Sequence, residues 1–180
     1  MDALRQFVYS HFDHVLFALL LLSRVGDVLS TYLATPTLKL EANPIVRRLR
    51  WPFAIATMFV SFLAYVDTTA AVILLVPCLL ICASNFGKVW MMRTMGEDAY
   101  LEMLIGVARR GNVWRAIVGI LVSASFTALS GIVLMILSTE TAWGYPFGMG
   151  IVIFAIVQVF YGALSYRRIF KMARKLQVAA

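Results

Sequence analysis

The sequence predicts an all-α, polytopic integral membrane protein: a helical bundle of about five transmembrane helices plus a short amphipathic interfacial helix. Three observations predict it. The 180 residues are 62% hydrophobic and only 14% charged, which suits a bilayer far better than a single soluble core of this size. The apolar residues come in long uncharged runs, 68–87, 116–139 and 141–166, each long enough to cross roughly 30 Å of hydrocarbon as a helix. The basic residues then fall almost wholly on one side of a five-span layout.

The first span is expected over 15–35. Its flank holds Asp2, Arg5 and Asp13, so there is no basic n-region. No small-x-small site ends the apolar run, and the helix reads as a retained span. The second span is placed at 51–66. Its helix is expected to start earlier, because Asn43-Pro44 supplies an N-cap followed by proline at the first helical position. The third is placed at 69–90. Pro52 and Pro77 are expected to kink these two spans or to mark local breaks. Cys78 and Cys82, at i,i+4, share a face, and they read as soft residues filling a helix contact in preference to a metal or redox pair.

Residues 97–110 read as the amphipathic helix. Glu97 and Asp98 lead it and Arg109 and Arg110 close it, which complements the helix dipole, and Gly111 can terminate it. Tyr100, Leu101, Leu104, Ile105 and Ala108 form its apolar stripe, suited to lipid or to the bundle itself. The fourth span, 113–138, carries Gly119, Ser123, Thr127 and Gly131 at intervals of four, a small-residue face that lets another backbone approach, within the protomer or in an oligomer. The fifth span is placed at 147–166. With no linker, repeat or low-complexity segment, residues 1–180 read as a single transmembrane domain.

Charge fixes the expected orientation. The first connecting loop holds Lys39, Arg47, Arg48 and Arg50. The segment between the third and fourth spans holds Lys88, Arg93, Arg109, Arg110 and Arg115, and the tail holds Arg167, Arg168, Lys171, Arg174 and Lys175. Of the 16 basic residues only Arg5 and Arg24 lie elsewhere. The positive-inside rule then puts the N-terminus outside and the C-terminus in the cytoplasm of an inner (plasma) membrane protein. A four- or six-span count scatters these charges over both faces. Trp51, Trp90, Trp114 and Trp143 fall at span ends, as an aromatic belt requires. The net charge of +7 has the same origin, topology and contact with membrane lipids, and no pattern points to nucleic acid.

Two ionisable residues, Arg24 and Asp27, sit near the middle of the first span. A lone charge there costs about 2.5–3.5 kcal/mol on insertion scales. At i,i+3 the two share a face and can pair. They are either a neutralised structural pair or a site for an ion, proton or polar substrate, with Ser23, Ser30 and Thr31 adding oxygens. Thr31 extends the Asp27 stripe by one turn, and Glu41-Ala42-Asn43-Pro44 follows. In Asp27, Thr31, Glu41, Asn43 and Pro44 the chain resembles a family of small prokaryotic membrane proteins of unknown function, with an Asp-x-x-x-Thr pattern in the first helix and Glu-x-Asn-Pro before the second. The resemblance covers the N-terminal third. It implies a membrane domain without implying an activity.

On the opposite side His11 and His14 share a helical face beside Asp13, with Asp67 and Glu140 in the other turns. Imidazoles and carboxylates are metal ligands, but no third ligand has diagnostic spacing, and two histidines without metal is the favoured reading. Asn85 and Lys88 lie near the end of the third span, where snorkelling explains Lys88. No phosphate loop, nucleophile elbow, zinc-cysteine motif or zincin signature is present, so no cofactor is implied and the reading leans away from an enzyme. Three classes remain: a small carrier or channel-like protein using Arg24, Asp27, Thr31, Glu41 and Asn43; a non-catalytic subunit or regulator with a homo-oligomeric or membrane-protein partner; and an intramembrane metal-dependent enzyme using His11 and His14. The polar stripe of the first span tips the reading to the first.

Overall fold

A computed structural model of the chain describes residues 6–7, 10–138 and 143–178. In order the elements are α1 (Phe12–Ala34), α2 (Pro44–Ala56), a 3₁₀ helix (Thr57–Tyr65), α3 (Thr68–Met95), α4 (Glu97–Arg110), α5 (Val113–Leu137) and α6 (Gly144–Val178). Four of these contain stretches long and apolar enough to cross a bilayer: α1, α3, α5 and residues 144–176 of α6. The fold is therefore an all-helical membrane bundle.

The second expected span is the departure. Residues 51–66 do not form one helix. The backbone turns at Arg50, whose φ is 59°, and a new helical piece begins at Trp51-Pro52. There Pro52 occupies a first-turn position that needs no N–H. At Thr57 the α-helix gives way to the 3₁₀ helix, and the Thr57 hydroxyl bonds back to the Ala54 carbonyl at 2.6 Å. Pro77 has no such effect, since α3 continues as helix through it. Its missing N–H is one bond in a helix held by neighbours on several sides. The fifth span also exceeds its expected end at residue 166: α6 runs on as helix to Val178.

The broken segment still returns across the bundle. Thr68 Oγ1 at the start of α3 donates to Asp13 at the start of α1 (3.3 Å), and Asn85 of α3 reaches Asp27 of α1 (2.9 Å), so α1 and α3 run parallel. Parallel neighbours in sequence need a return path, and residues 51–65 provide it along α1. The Trp51 indole donates to the Pro36 carbonyl, Thr57 meets Arg24, and Tyr65 meets His14. Six α-helical and nine 3₁₀ residues rise about 27 Å, close to the thickness of the hydrocarbon core.

At the end of the bundle where α1 and α3 begin, Leu16, Leu20, Ala64, Ala71, Val72 and Leu75 form a buried core closed by Phe12, Phe17 and Trp143. Next along the bundle α6 packs on α3, and α5 packs on α6 at the edge. The small-residue face of α5 serves this last contact. A Cβ at Gly131 would stand 2.7 Å from the Gly148 carbonyl oxygen, and Ser123 accepts from Gln158 at 3.2 Å. Gly119, by contrast, faces open space, and α6 meets this end of α5 at the neighbouring Ile120, whose side chain would stand 2.6 Å from a Cβ at Gly162.

The amphipathic helix α4 docks on the bundle. Its Ile105 and Ala108 pack with Ala173, Ile169, Phe170 and Met172 from the extension of α6, and Tyr100 is buried too. Its first residue, Glu97, is a tether. The carboxylate accepts the Thr35 hydroxyl, the Thr37 hydroxyl (2.8 Å) and the Lys39 N–H (2.9 Å), holding the end of α1 to the start of α4. Partial burial pushes the Glu97 carboxyl up, and these bonds outweigh it to leave its pKa below the ordinary value. The neighbouring Lys39–Asp98 ion pair, at 2.7 Å, is largely exposed and adds little.

Candidate functional site

The polar residues of α1 assemble a cluster in the bundle interior. Arg24 and Asp27, one helical turn apart, form an ion pair at 2.8 Å, and each side chain keeps 17% of its surface exposed, so the pair is shielded without being sealed. The second guanidinium nitrogen of Arg24 donates to Thr57 Oγ1 at 2.6 Å. The other carboxylate oxygen of Asp27 accepts from Asn85 Nδ2 at 2.9 Å. Three chain segments thus converge on one charge pair, and both oxygens of Asp27 are engaged. Such bonds matter in hydrocarbon, where no water replaces a lost partner.

The cysteines belong to the wall of this cluster. Cys82 packs on Gly26, where a Cβ would come within 2.7 Å of its sulfur, and Cys78 is buried within 4.0 Å of Arg24. They fill the α1–α3 contact. Ser23 and Ser30 are also buried, but their hydroxyls bond the Leu20 and Asp27 carbonyls of their own helix and are spent locally. Thr31 is half-buried on the same side of α1 as Asp27.

Glu41 lies in the loop before α2, near enough to Asp27 for the two carboxylates to repel. Its Oε1 accepts the Asn43 N–H at 2.7 Å, while its carbonyl oxygen accepts from Arg168 of α6 (3.2 Å) and Arg47 of α2 (3.5 Å). Burial pushes the Glu41 carboxyl above its ordinary pKa, and Asp27 adds to the rise against the bond from Asn43 and the charge of Arg47. Asn43 itself caps α2, its Oδ1 accepting from Ile45 N at 2.9 Å ahead of Pro44. It acts on the cluster only through Glu41.

The two histidines stand at the far end of α1. His14 Nδ1 and the Tyr65 hydroxyl are 3.0 Å apart. His11 stacks on Phe7 and lies 2.9 Å from Ser10 Oγ. Asp67 caps α3 through the Ala70 N–H, and Glu140 lies outside the described residues. Among the described residues no group of three or more His, Cys, Asp or Glu side chains comes together in a form that could hold a metal.

Thr57, Asn85 and Arg168 enter the cluster without having been expected in it. Asn85 carried a signal, an amide inside an otherwise apolar run. Thr57 carried little, since its depth relative to Arg24 depends on how the second crossing folds. No family model, curated protein or solved structure gives a significant match to the chain.

Proposed function

We propose that the chain is a small carrier or channel-like protein of the inner membrane, with its N-terminus outside and its C-terminus cytoplasmic. Its polar site comprises Arg24, Asp27, Thr57 and Asn85, with Glu41 at the loop end and Thr31 between them. One observation carries the reading: the second crossing changes from α to 3₁₀ at Thr57, the residue that binds Arg24. Discontinuous segments beside intramembrane charges are the usual construction of ion and substrate sites in carriers, because irregular backbone survives at that depth only where polar groups are needed. Asp27 and Glu41 are within electrostatic reach of each other, and of the two only Asp27 has an ion-pair partner among the described residues, which favours a proton or small cation as the ligand.

The test uses purified protein in liposomes under imposed proton, sodium or potassium gradients, followed with trapped indicator dyes. Wild-type protein is expected to dissipate at least one gradient faster than protein-free vesicles. A folded Asp27→Asn variant should fall to the protein-free rate, since asparagine keeps the size and one acceptor but carries no charge. The double variant Arg24→Gln/Asp27→Asn should not restore it. If Asp27→Asn runs at the wild-type rate, or wild type is no faster than empty vesicles, the reading is overturned.

A further inference from the structure

Beyond the α1 cluster the molecule carries a second polar feature, a groove of about 370 Å³ where α4 ends, α5 begins and the α6 extension passes. Its floor is apolar, built from Ala108, Phe170 and Ala173. Its walls carry Arg109 and Arg174. Both arginines are exposed, and among the described residues neither forms an ion pair or hydrogen bond. The membrane-spanning part of α5 starts at Val113, and Trp114, 70% exposed at the rim, marks the groove as lying at interfacial depth.

Further along the same helix lies an exposed, largely apolar strip of Val118, Leu121, Val122, Ser125, Phe126 and Leu129. Trp114 and Val118 are one turn apart, so the polar groove and the apolar strip lie on one helix face. From Val118 to Leu129 the helix rises about 16 Å, about half of a 30 Å hydrocarbon core and so the depth of one leaflet. Two unpaired guanidiniums at headgroup level, beside an apolar strip one leaflet deep, match one class of ligand in both charge and length.

We propose that this face is a binding site for an anionic phospholipid, its phosphate held by Arg109 and Arg174 and an acyl chain lying along Val118–Leu129. Guanidinium suits phosphate because its planar fork offers paired donors. The site is independent of the α1 cluster and would stand if the transport reading failed.

The test is native mass spectrometry of the full chain released from nanodiscs of equimolar phosphatidylglycerol and phosphatidylcholine. Wild type is expected to retain phosphatidylglycerol preferentially. Arg109→Gln/Arg174→Gln should weaken that preference about thirtyfold, at roughly 1 kcal/mol per basic residue near the surface. Arg48→Gln/Arg93→Gln, which removes equal charge from elsewhere on the same side, should weaken it far less. Val122→Trp, which sets a bulky ring in the middle of the strip where the acyl chain would lie, should lower retention while leaving both arginines in place. Equal loss in the two arginine pairs, displacement of the lipid by millimolar inorganic phosphate, or a lipid-free dimer as the retained species would each overturn the proposal.

Discussion

At the residue scale the carboxylates set the chemistry, and Glu41 offers the cleanest pH dependence. Burial raises its pKa in the folded chain, so ionising it costs stability. Folding is most favoured when Glu41 is protonated in both states, and stability falls as pH rises from the unfolded value of about 4.5 through the raised folded value. Glu41→Gln keeps an acceptor for the Asn43 N–H and removes the charge beside Asp27. In detergent melts it is expected to be more stable than wild type at pH 7 and to lose that advantage below pH ~4. A less stable variant at pH 7 would show that Arg47 and Arg168 hold the ionised form. Asp27 differs in having direct charged and polar partners, since Arg24 and Asn85 both donate to it. Removing one member of the pair strands the other and costs about 3–5 kcal/mol.

Among the elements, α5 separates packing from exposure most clearly. Gly131 is buried against the α6 backbone, whereas Leu121 is 46% exposed. Gly131→Leu has no space to occupy and should destabilise the α5–α6 pair by about 1–3 kcal/mol, typical of overpacking. Leu121→Phe should leave the melting temperature unchanged. Equal tolerance at both positions, read by melting in detergent, would remove the small-residue face from the α5–α6 contact. The second crossing shows an element governed by polar needs. An uninterrupted α-helix through 51–65 would rise only about 22 Å, and its tighter, longer 3₁₀ stretch brings both Thr57 to Arg24 and Tyr65 to His14.

For the whole molecule, the parallel run of α1 and α3 places the α1–α2 loop and the α3–α4 turn on one side, with Asp13 and Asp67 on the other. Single cysteines introduced at Asp67 and at Arg48 into a chain lacking Cys78 and Cys82 test the orientation. With the basic side cytoplasmic, the Asp67 site should react with an impermeant maleimide in intact cells, and the Arg48 site only after the membrane is opened. Labelling of Arg48 from outside would reverse the proposed topology.

The class of fold was legible in the chain because hydrophobic length and charge asymmetry are summed properties that bilayer insertion reads without tertiary detail. The interfacial helix was legible to the residue, 97–110, since its acids, bases and terminal glycine are local signals. So was the Arg24–Asp27 pairing, an i,i+3 relation within one helix. Tertiary structure alone decided the rest. Thr57, Asn85 and Arg168 lie 33, 58 and 127 positions from the cluster residues they bond, and no helical periodicity encodes contacts between helices. The break at Arg50 and the 3₁₀ path beyond it likewise depend on what α1 offers as a partner. A span's existence is determined by its own hydrophobicity, but its internal geometry is determined by the polar groups it must satisfy, and those belong to its neighbours.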